Sequence, residues 1–273
     1  MPEGDSVWRA ARRLNRGLQG HRLARTDFRV PQHATADLSG TTVLGTAAHG
    51  KHMLTRLDNG VTLHTHFRMD GSWTVLAPGR SLPRHLQPDV RVVLVSERGP
   101  RAYALSVPVV ELVPTRDEDS VVGHLGPDPL RPDWDPEEAV RRLGADPTRP
   151  AVAALLDQRL LAGLGNLWAN ELLFVRGHNP WTPIGEVDLP ALVAAAQRML
   201  RQSIQVRGNG QVTTGDPRPG HDHWVYGRVG QPCRRCGTRI RVEAEVAGDA
   251  ERRRTWWCPS CQPGPGGRPP GRP

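Results

Sequence analysis

Residues 3–18 carry apolar side chains at Val7, Ala10, Ala11, Leu14 and Leu18, three and four positions apart, with arginines on the opposite face. That spacing predicts an amphipathic helix burying one stripe. From about residue 20 to 113 the period changes. Short β-rich runs at 41–44, 52–57, 61–66, 72–76, 90–95 and 102–107 are separated by Gly, Pro and Asn-Gly breakers. Several short strands at this spacing predict a sandwich or barrel. Residues 114–136 are rich in Pro, Asp and Gly and read as a linker. Helical patterns return at 136–143, 151–156, 166–176 and 189–206, and 208–220 is loop-like.

Every cysteine falls after these helices, as Cys233-x2-Cys236 and Cys258-x2-Cys261, and none is left over. In a reducing compartment two such pairs point to zinc rather than disulfides, and four thiolates fill a tetrahedral site. With no position open to water the expected ion is structural, a single Zn2+ over 221–262, with a hairpin between the pairs turning near Gly248-Asp249. The tail, 263–273, is almost entirely Pro, Gly and Arg and is expected to be disordered. The expected fold class is therefore α+β and multidomain: an N-terminal helix plus β-sandwich (1–113), a linker (114–136), a helical domain (137–220), a four-cysteine module (221–262) and the tail. No internal repeat is present.

Charge narrows the partner. The net charge is +8 and the sequence pI about 10.4, which favours a polyanion because each neutralised phosphate releases counterions. A membrane surface would need a basic amphipathic helix or a polybasic run beside an apolar segment, and neither is seen. No stretch reaches transmembrane length. The start, MPEGDSVWRAARRL, has carboxylates where a signal peptide has basic and then apolar residues, so a cytoplasmic location is expected.

Of the 36 basic side chains all but one are arginine. The exception is Lys51, in Ala-Ala-His-Gly-Lys-His-Met-Leu. Biased codon usage accounts for the arginines and not for the exception, and an ammonium differs from a guanidinium in geometry and acidity. A Met1-Pro2-Glu3-Gly4 start offers a second amine. Loss of Met1 would expose a secondary amine whose condensation with an aldehyde gives an iminium, cationic and electron-withdrawing, with Glu3 one residue away to move protons. Taken alone, Glu3 equally suits the positive end of a following helix. Gly163 and Gly165 precede Asn166 at a helix start, either as a backbone site for phosphate or as a helix joint with Asn166 as its cap. Arg239, Arg241, Arg252, Arg253 and Arg254 between the cysteine pairs suit insertion into a DNA groove or a solvated basic surface.

Together, in this order, an N-terminal Pro-Glu-Gly, a lone Gly-Lys before a strand, Gly-Leu-Gly-Asn at a two-turn joint and a C-terminal four-cysteine hairpin resemble the Fpg/Nei family of DNA glycosylases, over residues 2 to about 262. MPEGD and HGKHMLTR are similar to its endonuclease VIII branch. The resemblance implies a bifunctional glycosylase and AP lyase of base excision repair. Pro2 would attack the deoxyribose C1′ and displace an oxidised base, pyrimidines preferred, and Glu3 would be its acid–base partner. The strand would then be nicked by elimination. Lys51 would contact a phosphate beside the damage and assist catalysis. In the helix–two-turn–helix domain Asn166 would hold the same backbone, and Arg253 of the zinc finger would clamp the phosphates flanking the lesion. Met69 would fill the hole left by the flipped nucleotide. The expected partner is damaged DNA, bound by a monomer.

One departure stands out. The family usually places Pro-Glu after the glycine, where this chain has Asp5 and Ser6, and neither is given a catalytic role. An oxidised-purine enzyme and a non-catalytic zinc-containing DNA-binding relative are the alternatives; retention of Pro2, Glu3 and Lys51 together argues against the latter. The histidines (His49, His52, His64, His66, His221, His223) show no closed ligand pattern and read as DNA-facing or structural.

Overall fold

The computed structural model describes residues 2–206, 210–243 and 253–264. The amphipathic stripe folds as helix α1 (Gly4–Leu18) with Val7, Ala10, Ala11, Leu14 and Leu18 all buried. Eight strands follow: β1 (Leu23–Phe28), β2 (Val43–His49), β3 (His52–Leu57), β4 (Val61–His66), β5 (Ser72–Leu76), β6 (Val90–Ser96), β7 (Arg101–Leu105) and β8 (Val109–Pro114). They form two antiparallel four-stranded sheets, ordered β1-β6-β7-β5 and β2-β3-β4-β8. Their facing sides share one core, with Phe28, Trp73, Val92, Leu94 and Ala104 from the first sheet and Val43, Met53, Leu57, Leu63 and Val110 from the second. This is the expected sandwich.

The helix is fastened to the strands at two points. Asn15 Nδ2 donates to the Thr46 carbonyl (2.7 Å) while its Oδ1 accepts from the Thr46 N–H (2.6 Å), so one side chain completes a β-type pair with β2. Gly17 lies so close to β5 that a Cβ there would meet Val75 Cγ1 at 2.7 Å. Both contacts fix the C-terminal end of α1, the helix whose other end bears Pro2 and Glu3.

A single-turn α2 (Asp119–Val122) follows β8, and the second half contains α3 (Pro136–Leu143), α4 (Ala151–Leu156), α5 (Asn166–Arg176) and α6 (Leu189–Gln205). Asp135 caps α3 by accepting from the N–H groups of Glu137 and Glu138, and Asp188 caps α6 through Ala191. Helix α5 is buried from Asn166 to Phe174. A core of Leu155, Leu164, Trp168, Leu172, Leu192 and Leu200, among others, joins α3 to α6. The antiparallel pair β9 (Arg241–Glu243) and β10 (Thr255–Trp257) is the expected hairpin. Its turn near Gly248-Asp249 lies outside the described residues, as do Arg252 and the tail from 265 onward.

The chain divides into two compact units, Met1–His124 and Leu125–Pro273. The division falls inside 114–136, whose first part packs on the sandwich: Arg56 donates from Nε and Nη2 to the two oxygens of Glu118 at 2.8 and 2.6 Å, and Thr62 adds a third bond. Two strands, β1 and β8, were not among the periodic runs. β1 (Leu-Ala-Arg-Thr-Asp-Phe) is buried only at its ends and takes its conformation from pairing with β6. The run 102–107 breaks early, since Ser106 has φ 50° and separates β7 from β8. Among the described residues no helix is long and apolar enough to cross a membrane.

Candidate functional site

In the first unit Glu3 is the N-cap of α1, with its backbone carbonyl accepting from the Ser6 and Val7 N–H groups (2.9 and 3.1 Å), and it is 1% exposed. Pro2, beside it, is half-buried. A buried carboxylate next to a helix N-terminus is held where the helix dipole favours its charge. Asp5, in the place where the family pattern departs, is buried in an ion pair with Arg9 one turn on (2.8 Å). That i,i+4 partner gives Asp5 a structural task within α1.

Lys51 stands in a two-residue turn between β2 and β3, since the last cross-strand pair is His49 with His52. Gly50 has φ 56°, and a positive angle at the first turn residue is the glycine-requiring pattern that matches strand twist. Met69 occupies the β4–β5 loop and is 60% exposed, which excludes a core role. Arg68 in this loop has φ 47°, and Gly71 is so close to Phe67 that a Cβ would sit 2.7 Å from its carbonyl oxygen. A tight loop thus presents a bare apolar side chain.

In the second unit the joint before α5 is held by Gln158, whose amide donates to the Leu156 and Leu164 carbonyls and accepts from the Gly163 N–H. Gly163 has φ 94°, which explains that glycine. The cap of α5 is Gly165, and Asn166 is the first helical residue. The Asn166 side chain is 5% exposed and Nδ2 donates to the Arg254 carbonyl (2.9 Å). It therefore ties α5 to the strand segment that carries Arg253, itself half-buried. One turn on, Asn170 Oδ1 accepts from the Trp256 N–H (2.7 Å). Sequence reading did not assign Glu171, yet it organises this end of the unit. Fully buried, it accepts from the N–H groups of Trp224, Val225 and Tyr226, each at 2.8 Å, and from the Thr213 hydroxyl. Its only sequence signal was a carboxylate directly before the apolar run 172–175 of α5.

The four cysteine sulfurs lie within 4.8 Å of one another and are, among the described residues, the group of metal-ligating side chains that gathers in this way. Cys236 and Cys258 are 3.4 Å apart, Cys233 and Cys261 3.9 Å. A tetrahedron with Zn–S of about 2.3 Å puts sulfurs about 3.8 Å apart, so the cluster has the right size. Each pair also turns a backbone N–H onto its first sulfur, Arg235 onto Cys233 at 3.4 Å and Cys261 onto Cys258 at 3.5 Å, as suits thiolates. The Thr238 hydroxyl and N–H pull the Cys236 thiol down to about 6, whereas burial pushes Cys258 and Cys261 up. The residues fit a metal ion.

The sequence profile of the formamidopyrimidine-DNA glycosylase N-terminal domain matches residues 1–103, and that of the formamidopyrimidine-DNA glycosylase H2TH domain residues 125–214. The chain is 50% identical to the probable endonuclease 8 2 of Streptomyces coelicolor over 100% of its own length and 98% of the relative's. It is 41% identical to the DNA-(apurinic or apyrimidinic site) lyase Nei2 of Mycolicibacterium smegmatis, covering 96% of this chain and 99% of that one. The fold is shared with the Lactococcus lactis formamidopyrimidine-DNA glycosylase crystallised on DNA containing an AP site, at a TM-score of 0.77 and 23% identity over 96% of this chain and 99% of that one.

Proposed function

Since the chain belongs to the Fpg/Nei family of DNA glycosylases, in its endonuclease VIII-like branch, we propose that it is a bifunctional DNA glycosylase and AP lyase of base excision repair. The observation that carries the reading is the Pro2–Glu3 pair at the head of α1, with Glu3 buried as its N-cap and the helix fastened to β2 through Asn15. A secondary amine held on such a helix is positioned for attack rather than free to swing. After loss of Met1, the Pro2 nitrogen attacks C1′. The C1′–base bond breaks, and the base leaves with its electron pair. The Pro2 nitrogen gives up its N–H proton, Glu3 protonates O4′ as the C1′–O4′ bond opens, and the ring-opened sugar is left joined to the nitrogen as an iminium. The resulting iminium has no N–H to lose and withdraws electrons, so loss of a C2′ proton expels the 3′ phosphate. Lys51 contacts a phosphate beside the lesion, Met69 occupies the space of the flipped nucleotide, and Asn166 and Arg253 hold the flanking backbone. In this reading the catalytic domain spans 1–113, the helix–two-turn–helix 137–220 and the zinc finger 221–262, in a cytoplasmic monomer. One zinc ion on Cys233, Cys236, Cys258 and Cys261 supplies folding free energy to the hairpin and no activated water.

Borohydride trapping tests the nucleophile, because the amines of the chain are the Pro2 nitrogen and Lys51. Lys51→Arg should still trap on a pre-formed abasic site, more slowly. An N-terminal tag that keeps Pro2 in an amide should abolish trapping with Lys51 intact. Trapping that survives the tag and vanishes in Lys51→Arg overturns the Pro2 assignment. Run over a lesion panel, the same assay should show thymine glycol, dihydrouracil and abasic sites cut ahead of 8-oxoguanine. Fastest cutting of 8-oxoguanine opposite cytosine would make it an oxidised-purine enzyme.

A further inference from the structure

The β2-β3-β4-β8 sheet turns its outer face away from the sandwich core, and that face carries histidines the proposed reaction does not use. The register sets His52 opposite His49 and His66, and His64 opposite Glu111 of β8. Strand alternation then puts all five residues on one side. His52 Nδ1 lies 2.9 Å from His64 Nε2, and His64 Nδ1 lies 2.8 Å from Glu111 Oε2. An ionised carboxylate only accepts, so His64 Nδ1 carries a proton and donates it. In the neutral ring His64 Nε2 is then an acceptor, and His52 donates from Nδ1. A directed chain of hydrogen bonds thus runs across three strands and ends on the residue after Lys51. Its middle member, His64, is 3% exposed while Glu111 is 47% exposed, so the bond to His52 is shielded from water and the bond to Glu111 anchors the chain at the sheet surface.

The surroundings of His52 reinforce this. The rings of His66 and His124 pack edge-on against it, at 4.5 and 5.8 Å between centroids. Burial first, and then the neighbouring His66, His64, His124 and His49, hold its pKa at about 2, so His52 adds no charge beside the lysine. His66 Nδ1 in turn accepts the Arg68 N–H (3.1 Å) at the start of the loop that presents Met69. One histidine patch therefore underlies both the Lys51 turn and the Met69 loop.

We infer that Glu111, His64 and His52 form a positioning relay that sets the direction of the Lys51 turn. The inference rests on the assignment of Lys51 made above. The β2–β3 ladder ends at His49 and His52, so backbone pairing alone stops one residue short of Lys51 on the β3 side. The relay fixes the His52 side chain to β4 and β8, and with it the strand from which the turn departs. None of the three residues is required to touch DNA.

The test is a double-mutant cycle on the full-length protein, read as single-turnover excision of thymine glycol from a duplex. Glu111→Ala should slow excision about tenfold, the scale expected when a catalytic group is misplaced by a fraction of an ångström or more. In a Lys51→Ala background the same change should cost less than about twofold, because the relay then has nothing to position. The shift in melting temperature should be the same in both backgrounds. Glu111→Gln, which keeps an acceptor for His64 Nδ1–H, should stay within about threefold of wild type. Wild-type rates in Glu111→Ala, or equal slowing in both backgrounds, would overturn the relay while leaving Lys51 assigned. Wild-type excision by Lys51→Ala itself would remove the Lys51 assignment, and the relay with it.

Discussion

In the N-terminal unit apolar packing positions the chemistry. Helix α1 lays Val7, Ala10, Leu14 and Leu18 against two sheets, and Glu3, the Lys51 turn and the Met69 loop are extremities of elements that this core already fixes. The C-terminal unit works differently at its four-cysteine module. Its small apolar cluster of Phe174, Val225, Cys233, Ile240 and Cys258 is supplemented by polar side chains reaching far along the chain. Asn166 bonds to Arg254, Asn170 to Trp256, and Glu171 to three successive amides. Asn179 donates to the Gln262 carbonyl, while the Gln262 side chain bonds the Cys258 N–H and the His178 carbonyl. A core distributes its stabilisation over many contacts, each replaceable at modest cost. A module held by buried hydrogen bonds and four thiolates concentrates it in few.

The sharpest way to break this contrast is Cys258→Ser. Structural zinc in comparable small modules is worth about 10–16 kcal/mol, far more than the cluster around Phe174 can supply. The variant should lose zinc, unfold the β9–β10 hairpin and lose DNA binding, while the unfolding transition of the N-terminal unit is retained. Calorimetry with metal analysis checks it. Simultaneous loss of both units would show that the sandwich depends on the module.

Next in size is Glu171→Ala. It strands the N–H groups of Trp224, Val225 and Tyr226, which now share one buried carboxylate. At roughly 1–3 kcal/mol for an unsatisfied buried donor, partly relieved by water entry, the expected loss is about 3–5 kcal/mol. Hydrogen exchange should show residues 213–226 opening while the amides of β6 and β7 keep their protection. A loss below about 1 kcal/mol would mean that the loop stands without Glu171.

The contrast also explains what could be read in advance. Helix α1, most strands, the helices α3 to α6 and the cysteine hairpin announce themselves through local periodicity or spacing. So does the lone Lys51, because its rarity is a property of composition. Strand β1 does not, since Ala24, Arg25, Thr26 and Asp27 alternate poorly and owe their conformation to β6. Asn170 and Glu171 lay within a recognised motif, but the backbone groups they hold, at Trp256 and at Trp224, Val225 and Tyr226, sit at positions that no local pattern links to them. The histidines were visible as residues and not as a relay, because His64 and Glu111 are 47 positions apart. Polar clamps are illegible for the same reason that they are vulnerable: each depends on a few partners far along the chain.

The smallest effect sharpens the comparison from the sandwich side. His52 has a folded pKa of about 2 against an ordinary value of 6.5, with burial as the main cause. A depressed histidine pKa means that below pH 6.5 the unfolded chain takes up a proton that the folded chain refuses. The stabilisation is thus fully present above pH 6.5 and is lost progressively as pH falls from 6.5 towards 2. By pH 5 this one group should cost about 1–2 kcal/mol. Glu111 faces His64, and His49, His64, His66 and His124 surround His52, so the contribution of His52 has to be isolated by difference. Urea unfolding of the full-length protein at pH 7.5 and pH 5, wild type against His52→Gln, provides that difference. The variant should be less stable at pH 7.5, because the bond to His64 is altered, yet should lose less on acidification. An identical acid loss in both proteins would place the titration elsewhere and show that His52 is accommodated in the patch without electrostatic cost.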